Sequence, residues 1–220
     1  MTITKLYDND PFPSQNAFDW LVILGGGMNI YEEDKYPWLK DEKIFIKESI
    51  EAGKVVIGLC LGGQLIADVI GGKVRKNDFK EIGWLPVHFC DSMKEIDLFS
   101  FSPSEPIMLQ WHEDTFYDLP KGAICIAKSK ACEHQAFIYG DRVFGFQFHL
   151  ENTADIIHQM VERSRDILTA DAYIQSPEEI LGHPEYIEQV REWIHKFLSN
   201  LEVLEMKGSL LKGNVKMFIN

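Results

Sequence analysis

The stretch "VVIGLCLGGQLIAD", Val55 to Asp68, joins a run typical of a buried strand to a helix-like segment. The apolar run ends at Gly58. Cys60 lies two residues after Gly58 and two residues before Gly62. This G-x-Cys-x-G spacing is the form of a nucleophile elbow, a tight turn that presents a nucleophile between a strand and a helix. Glycine is expected at both flanks because a Cβ there would collide with the neighbouring strand and helix. The helix N-terminus would favour a reactive thiolate, whereas a buried cysteine is otherwise commonly inert.

The segments around the elbow alternate between strand-like and helix-like patterns. The run "DWLVILGGG" predicts a strand, and "PWLKDEKIFIKESIEAG" carries apolar residues at helical spacing between a proline and a glycine. This alternation predicts an α/β fold, with a mostly parallel central sheet between two helical layers.

The second half of the chain has a different texture. Short β-prone segments lie between Lys73 and Leu150, followed by predicted helices from Thr153 to Ala170 and from Pro177 to about Leu204. We predict a main domain over residues 1–170 and a C-terminal helical extension over residues 171–220 packed on the same domain.

Composition and charge narrow the class of protein. The chain has 220 residues, and its net charge of −12 disfavours a nucleic-acid partner, which requires clustered basic residues. No apolar run approaches the roughly 18 residues of a membrane helix, and the N-terminus lacks the pattern of a signal peptide. The four cysteines are far apart and form no C-x-x-C pair, so we expect neither a zinc site nor a disulfide framework. These features predict a cytoplasmic protein without a membrane partner.

The segment "FGFQFHLEN" offers a proton partner for the thiol. His149 and Glu151 lie two residues apart at the end of a β-prone run, so both side chains leave the same face. The carboxylate could hold one imidazole nitrogen while the other faces the sulfur. Taken alone, the pair fits a metal site or the protein surface as well; beside an elbow it indicates nucleophilic catalysis.

The segment "LGGGMN" follows another predicted strand. Because the carboxyl ends of parallel strands meet at one edge, Gly25 to Gly27 should lie near Cys60. Glycines there would let backbone N–H groups approach a developing oxyanion. A plain glycine turn is the alternative interpretation.

Together, "GLCLGGQ", "GFQFHLE" and "GGGMN" resemble the three signatures of the class I (triad-type) glutamine amidotransferases. The segment "LQWHEDTFYDLPKGAICIAKS" is similar to a further stretch of that family, and the likeness is greatest to stand-alone members described as GMP synthase-like. The resemblance covers Leu21 to about Leu168 and implies a flavodoxin-like three-layer sandwich.

The resemblance also implies a mechanism. Cys60 would attack the side-chain amide carbon of glutamine, and the oxyanion would accept hydrogen bonds from the N–H groups of Gly26 and Leu61. His149, oriented by Glu151, would protonate the departing ammonia and then activate water to hydrolyse the γ-glutamyl thioester. This chemistry implies no cofactor and no metal.

Substrate and partners are implied in the same way. Gln64 corresponds to a substrate-contacting glutamine of the family, and Gln135, Ala136 and Phe137 lie where members hold the amino-acid end of the substrate. The ligand would be glutamine or another small γ-glutamyl molecule. The chain contains no P-loop motif, so any synthesis would fall to a separately encoded synthetase. A homodimer through the acidic C-terminal segment is a further possibility.

The sequence departs from the family pattern at three places. Gly27 and Leu150 stand where the family has proline, and the chain begins about one strand and one helix late. An upstream start, a partner chain, or residues 214–220 ("NVKMFIN") forming a strand would each account for the apparently missing unit. His112 and Asp114 could be metal ligands, although the resemblance implies loop residues near the mouth of the site.

Two other classes of function stay open. In a cysteine-dependent α/β-hydrolase, Asp114 or Asp141 would be the acid and Glu151 would be incidental. A catalytically inert member of the family would serve as a binding module.

Overall fold

The computed structural model describes residues 2–91, 93, 96–169 and 171–206. These residues form two compact units, and the chain passes between them several times. The first unit comprises the chain up to Lys76, together with Asp114–Cys125 and Ala136–Gln147. The second comprises Asn77–Glu113, Ile126–Gln135 and the described residues from Phe148 onward.

The first unit is built on parallel strands. Its strands belong to a six-stranded sheet and follow the order β1 (Trp20–Ile23), β2 (Val55–Leu59), β8 (Val143–Phe146) and β7 (Ala136–Tyr139). The pairs β1–β2 and β2–β8 are parallel, whereas β7 runs antiparallel to β8. All residues of β2 and β8 are buried, which explains why these strands are continuous apolar runs rather than alternating ones.

Two helices of the first unit pack on this sheet. Helix α1 (Trp38–Glu51) begins after Pro37 and buries Leu39 and Ile46 completely. Helix α2 (Leu61–Val69) follows β2 directly, and seven of its nine residues are buried. Helix α1 was predicted from its apolar spacing and α2 from the strand-to-helix junction at Cys60, and the α/β fold class is confirmed.

The second unit combines short strands with the C-terminal helices. Strand β4 (His88–Phe89) pairs antiparallel with the second half of β6 (Ala123–Lys128). The helices are α3 (Ala154–Ser164), α4 (Pro177–Leu181) and α5 (Pro184–Met206). The indole of Trp193 on α5 forms the centre of an aromatic cluster with Phe89, Phe99, Phe101, Phe148 and Phe197. This cluster anchors α5 within the unit.

Several element boundaries differ from the predictions. Helix α3 ends at Ser164, well before the predicted end at residue 170. The helix predicted from Pro177 is two helices, separated by Gly182 and His183. Strands β3 (Lys73–Pro86) and β5 (Ile107–Tyr117) form a separate two-stranded sheet, and both are longer than expected. The first nine residues of β3 are mostly charged and exposed, so they lack the apolar alternation that signals a strand.

Two predictions about the C-terminal part of the chain stay predictions. The strand suggested for residues 214–220 lies outside the described residues. The division of the chain at residue 170 stays a prediction. None of the described helices combines the length and apolar character needed to span a membrane.

Candidate active site

Cys60 occupies a strained turn between β2 and α2. Its φ of 52° and ψ of −110° lie in a region that residues with a Cβ rarely adopt. The Cys60 N–H donates to the Phe146 carbonyl at 2.8 Å, and the Cys60 carbonyl accepts from the Gln64 N–H at 3.1 Å. These bonds tie the turn to β8 on one side and to the first turn of α2 on the other. The backbone therefore has the predicted form of a strand-to-helix elbow.

The two flanking glycines allow this turn to pack. A Cβ on Gly58 would fall on the backbone of Gly62 and Gly63, at the start of α2. A Cβ on Gly62 would fall on the carbonyl of Ile23, the last residue of β1. The collisions with a neighbouring strand and a helix that the sequence predicts are thus present at both positions.

The glycine loop after β1 lies beside the start of α2. A Cβ on Gly26 would approach Leu61 Cδ2 to 3.0 Å, so the loop is in contact with the first residue of the helix. The N–H of Leu61 belongs to the first turn, whose N–H groups have no acceptor within their own helix. The two residues predicted to supply oxyanion donors are therefore neighbours beside Cys60 in the first unit.

In the second unit, His149 and Glu151 form a short hydrogen bond. The distance from His149 Nδ1 to Glu151 Oε1 is 2.7 Å, and the side chains are only 9% and 23% exposed. The other carboxylate oxygen, Oε2, accepts the backbone N–H of Leu150 at 2.8 Å. Because an ionised carboxylate only accepts hydrogen bonds, Nδ1 carries a proton, and Nε2 is the ring nitrogen left for proton transfer.

The electrostatics of Glu151 favour that assignment. Burial raises the pKa of the Glu151 carboxyl, but the hydrogen bond and charge of His149 and the backbone N–H groups of Glu151 and Leu150 outweigh it. The pKa therefore lies below its ordinary value. Glu151 is ionised at neutral pH and can orient the imidazole and stabilise its protonated form.

A strand neighbour fixes the backbone of the histidine. The His149 N–H donates to the Leu109 carbonyl at 2.9 Å, and the two residues form an isolated antiparallel bridge. His149 is therefore held by β5, although it lies beyond the end of β8. The ring is positioned from both its backbone and its Nδ1 atom.

A buried pair of glutamines lies next to Cys60. Gln147 Nε2 is 3.8 Å from Cys60 Sγ, and Gln64 Nε2 donates to Gln147 Oε1 at 3.3 Å. Gln64 Nε2 also donates to the Asp114 carbonyl at 3.0 Å. Gln64 was predicted to contact the substrate, whereas Gln147 was not predicted to be part of the site. The position of Gln147 could have indicated its place in the site. Gln147 lies two residues before His149 and directly after β8, and the parallel neighbour of β8 is β2, which leads to Cys60.

The three residues predicted to hold the amino-acid end of the substrate are fully buried. Ala136 and Phe137 are 0% exposed, and the Phe137 ring packs edge-on against Phe116. The Gln135 side chain is also 0% exposed, and its amide donates to Glu81 at 2.7 Å and accepts from Gln110 at 3.0 Å. Their side chains are engaged in packing and hydrogen bonds, so a contact with substrate would have to come from their backbone.

His112 and Asp114 lie on strand β5, which corrects the expectation that they are loop residues. The His112 Nε2 atom is 3.1 Å from Glu81 Oε2, and both side chains are 1% exposed. Asp114 Oδ2 accepts the hydroxyl of Tyr31 at 2.9 Å. Within the described part of the chain, no group of three or more His, Cys, Asp or Glu side chains is arranged to hold a metal ion.

The predicted site residues thus fall into two sets. In the first unit, Cys60 lies with Gly26, Leu61 and Gln64; in the second, His149 is joined to Glu151. His149 Nδ1 is hydrogen-bonded to the Glu151 carboxylate, whereas the Asp114 carboxylate accepts a hydrogen bond from the Tyr31 hydroxyl. The observed pairing is the one that the family resemblance implies, and the hydrolase arrangement with Asp114 as its acid stays an untested alternative.

Comparisons with known proteins identify the family. The sequence profile of the family described as "Glutamine amidotransferase class-I" matches residues 3–164. A glutamine amidotransferase-like protein of Salmonella typhimurium, YfeJ, is 32% identical over 196 residues, which cover 86% of this chain and 80% of that protein. The "GMP synthase [glutamine-hydrolyzing]" of Streptococcus mutans is 30% identical over 135 residues. That match covers 60% of this chain and only 24% of the synthase.

Solved structures show the same relationship. A glutamine amidotransferase from Thermotoga maritima superposes with a TM-score of 0.80 at 30% identity, covering 90% of this chain and 84% of that one. A glutamine amidotransferase from Methylobacillus flagellatus gives a TM-score of 0.82 at 27% identity, covering 96% and 85% of the two chains. On the family profile and these relatives, the protein belongs to the class I glutamine amidotransferases.

Proposed function

We propose that the protein hydrolyses the side-chain amide of glutamine, or of a related γ-glutamyl compound, through a thioester on Cys60. The observation that carries this proposal is the conformation of Cys60, held at positive φ on the elbow between β2 and α2. Backbone strain of this kind persists only where the surrounding structure enforces it, and it is common at nucleophiles. The N–H groups at the adjacent N-terminus of α2 favour the negative charge that develops on the oxyanion.

In the proposed first step, the Cys60 thiolate attacks the amide carbon and forms a tetrahedral oxyanion. The N–H groups of Gly26 and Leu61 donate to this oxyanion, which their neighbouring positions support. His149, protonated on both nitrogens, donates the Nε2 proton to the departing nitrogen. Ammonia leaves, and the γ-glutamyl group remains bonded to the sulfur.

In the proposed second step, neutral His149 accepts a proton from water through Nε2. The resulting hydroxide attacks the thioester carbonyl, and the same N–H groups stabilise the second oxyanion. Collapse of this intermediate breaks the C–S bond and releases glutamate, and the sulfur leaves as the thiolate. Glu151 holds the Nδ1 proton throughout, which keeps Nε2 available for both transfers.

Ammonia release from glutamine tests the proposal. The wild-type protein should produce glutamate and ammonia, and Cys60→Ala should abolish turnover because no thioester can form. Cys125→Ala, at a free cysteine that is only partly buried, is the control and should retain activity. Asparagine, one methylene shorter, should be a poor substrate. Ammonia release by Cys60→Ala at the wild-type rate would exclude the thioester route.

A glutamine-analogue electrophile separates an active enzyme from an inert binding module. A diazo ketone analogue of glutamine should modify Cys60 stoichiometrically in the native protein, and Cys60→Ala should remain unmodified. Absence of both labelling and ammonia release would favour the inert module.

The fate of the ammonia forms a second part of the proposal. The similarity to a glutamine-hydrolysing GMP synthase, of which this chain spans 24%, supports delivery of ammonia to a separately encoded synthetase. In that case, adding the synthetase should increase glutaminase turnover. A protein that acts alone on γ-glutamyl peptides would instead show a higher kcat/KM for such peptides than for glutamine.

A further inference from the structure

Gln147 and Cys60 are placed side by side by two neighbouring parallel strands. Leu59, the last residue of β2, is in register with Phe146, the last residue of β8. Cys60 and Gln147 are therefore the next residues after the two strands. The hydrogen bond from the Cys60 N–H to the Phe146 carbonyl holds the two chain segments together at this level.

The hydrogen bonds of Gln64 determine which way the Gln147 amide points. Gln64 Nε2 donates one hydrogen to the Asp114 carbonyl and the other to Gln147 Oε1. Because the Asp114 carbonyl can only accept, the amide of Gln64 must present its nitrogen to this pair of oxygens. The oxygen of Gln147 consequently faces Gln64, and its NH₂ group faces Cys60 Sγ at 3.8 Å.

The contact between Gln147 and Cys60 is buried, which strengthens the electrostatic part of a hydrogen bond. Gln147 is 0% exposed, Gln64 is 4% exposed and Cys60 is 7% exposed. An N–H donor directed at a sulfur in such surroundings interacts strongly with an ionised sulfur and weakly with a neutral thiol.

We propose that Gln147 is a positioning residue for the nucleophile: its carboxamide N–H holds the Cys60 sulfur as a hydrogen-bond acceptor, in an orientation that Gln64 fixes. This inference rests on the proposed function in one respect, since it takes Cys60 as the nucleophile. It assigns a purpose to the buried glutamine pair that is distinct from contact with substrate.

The direct test measures the rate at which iodoacetamide alkylates Cys60, followed by mass spectrometry of the Cys60 peptide. Gln147→Glu keeps the shape and the acceptor for Gln64 but replaces the donor with a negative oxygen. The Cys60 rate at neutral pH should fall at least roughly tenfold, the effect of losing a hydrogen bond to a charged group. Gln147→Met removes the donor without adding charge and should cause a smaller decrease in the same direction.

Two controls separate this effect from a general loss of structure. Gln159→Glu places the same change on an exposed position of α3 and should leave the Cys60 rate unchanged. The alkylation rate of Cys125 in each sample, together with the circular dichroism spectrum, reports whether the fold is intact. In steady-state kinetics, kcat should fall with the Cys60 rate while KM for glutamine stays constant, because the contact is with the sulfur rather than the substrate.

The outcomes distinguish the inference from the proposed function. If both folded Gln147 variants had the Cys60 alkylation rate and the kcat of the wild type, the role of Gln147 would be overturned and the glutaminase proposal would still stand. Slower alkylation of Cys60 in the Gln147 variants of a protein without glutaminase activity would support the role of Gln147 and refute the proposed reaction.

Discussion

Leu150 donates its backbone N–H to Glu151 Oε2 at 2.8 Å, while the other oxygen of the same carboxylate holds His149. Proline, which the family pattern has at position 150, has no N–H and could not make this bond. The departure from the pattern therefore adds a donor that helps to fix the carboxylate and to lower the pKa of Glu151. What the sequence shows only as a missing proline is, in the structure, an additional hydrogen bond.

The first prediction concerns this donor. Leu150→Pro should lower kcat roughly fivefold, the effect of losing one hydrogen bond of about 1 kcal/mol. Because the pKa of Glu151 rises when the donor is lost, activity should also disappear at a higher pH on acidification than in the wild type. The pH profile of kcat measures both effects. Leu150→Met keeps the N–H and the apolar bulk, so an equal shift in that variant would contradict the explanation.

The second prediction concerns the acid of the triad. Glu151→Gln can present an amide nitrogen to His149 Nδ1, which would favour the tautomer with its proton on Nε2. We expect kcat for glutamine to fall roughly 100-fold or more. Asp114→Asn preserves the backbone carbonyl that accepts from Gln64 and should retain most of the activity. A fully active Glu151→Gln together with an inactive Asp114→Asn would instead indicate the α/β-hydrolase arrangement.

The third prediction concerns stability as a function of pH. Because the pKa of Glu151 is lower in the folded protein than in the unfolded chain, its ionised form stabilises the fold. This contribution is fully present above the unfolded carboxyl pKa of about 4.3 and is lost as the pH falls through the lower folded value. In urea unfolding experiments, the free energy of unfolding should decrease more steeply from neutral to acidic pH for the wild type than for Glu151→Gln. Identical pH dependence in the two proteins would show that Glu151 makes no such contribution.

The sequence predicts the elbow well because its determinants are local. The glycines at positions 58 and 62 and the cysteine between them lie within five consecutive residues. Gly58 is required by the nearby backbone of Gly62 and Gly63, whereas the contact that requires Gly62 is with β1. The pairing of His149 with Glu151 is local too, since residues two apart on extended chain share a face. The start of α1 after Pro37 follows from similarly short-range rules.

The features that the sequence does not reveal depend on distant contacts. Gln147 lies 83 residues from Gln64 and 87 from Cys60, and only the register of β2 and β8 brings them together. The exposed half of β3 is rich in charged residues and lacks the alternation of apolar and polar residues that indicates a strand, so it was not predicted as one. By contrast, Pro184 at the start of α5 was a visible signal that the last helix would be interrupted.

The fourth prediction tests the packing of the elbow. Gly62→Ala places a methyl group on the Ile23 carbonyl and should destabilise the protein by about 1–3 kcal/mol, the usual cost of overpacking. Gly27→Ala is the matched control, because a Cβ there meets nothing within 4 Å. Its effect should stay within about 0.5 kcal/mol. Urea unfolding measures both, and equal midpoints for the two variants would show that the elbow can relax away from β1.

The last prediction concerns the buried carboxylate of Glu81 in the second unit. Glu81 Oε1 accepts the Ser129 hydroxyl at 2.7 Å, and Oε2 accepts the Gln135 amide at 2.7 Å and lies 3.1 Å from His112 Nε2. Three side chains from separate segments therefore converge on one carboxylate that is almost inaccessible to water. Removing such a centre leaves several buried polar groups without their acceptor, and each of them carries a desolvation cost.

Glu81→Ala should accordingly lower the free energy of unfolding by about 3 kcal/mol or more. Glu113→Ala removes a carboxylate from the more exposed pair with Lys80, and should cost less than about 1 kcal/mol. Urea unfolding at neutral pH compares the two variants with the wild type. Since the Glu81 network also holds Gln135, just before Ala136 and Phe137, KM for glutamine should rise in any folded Glu81 variant if the backbone of this segment contacts the substrate. A loss of stability in Glu81→Ala no greater than that in Glu113→Ala would mean that water or nearby groups replace the missing acceptor.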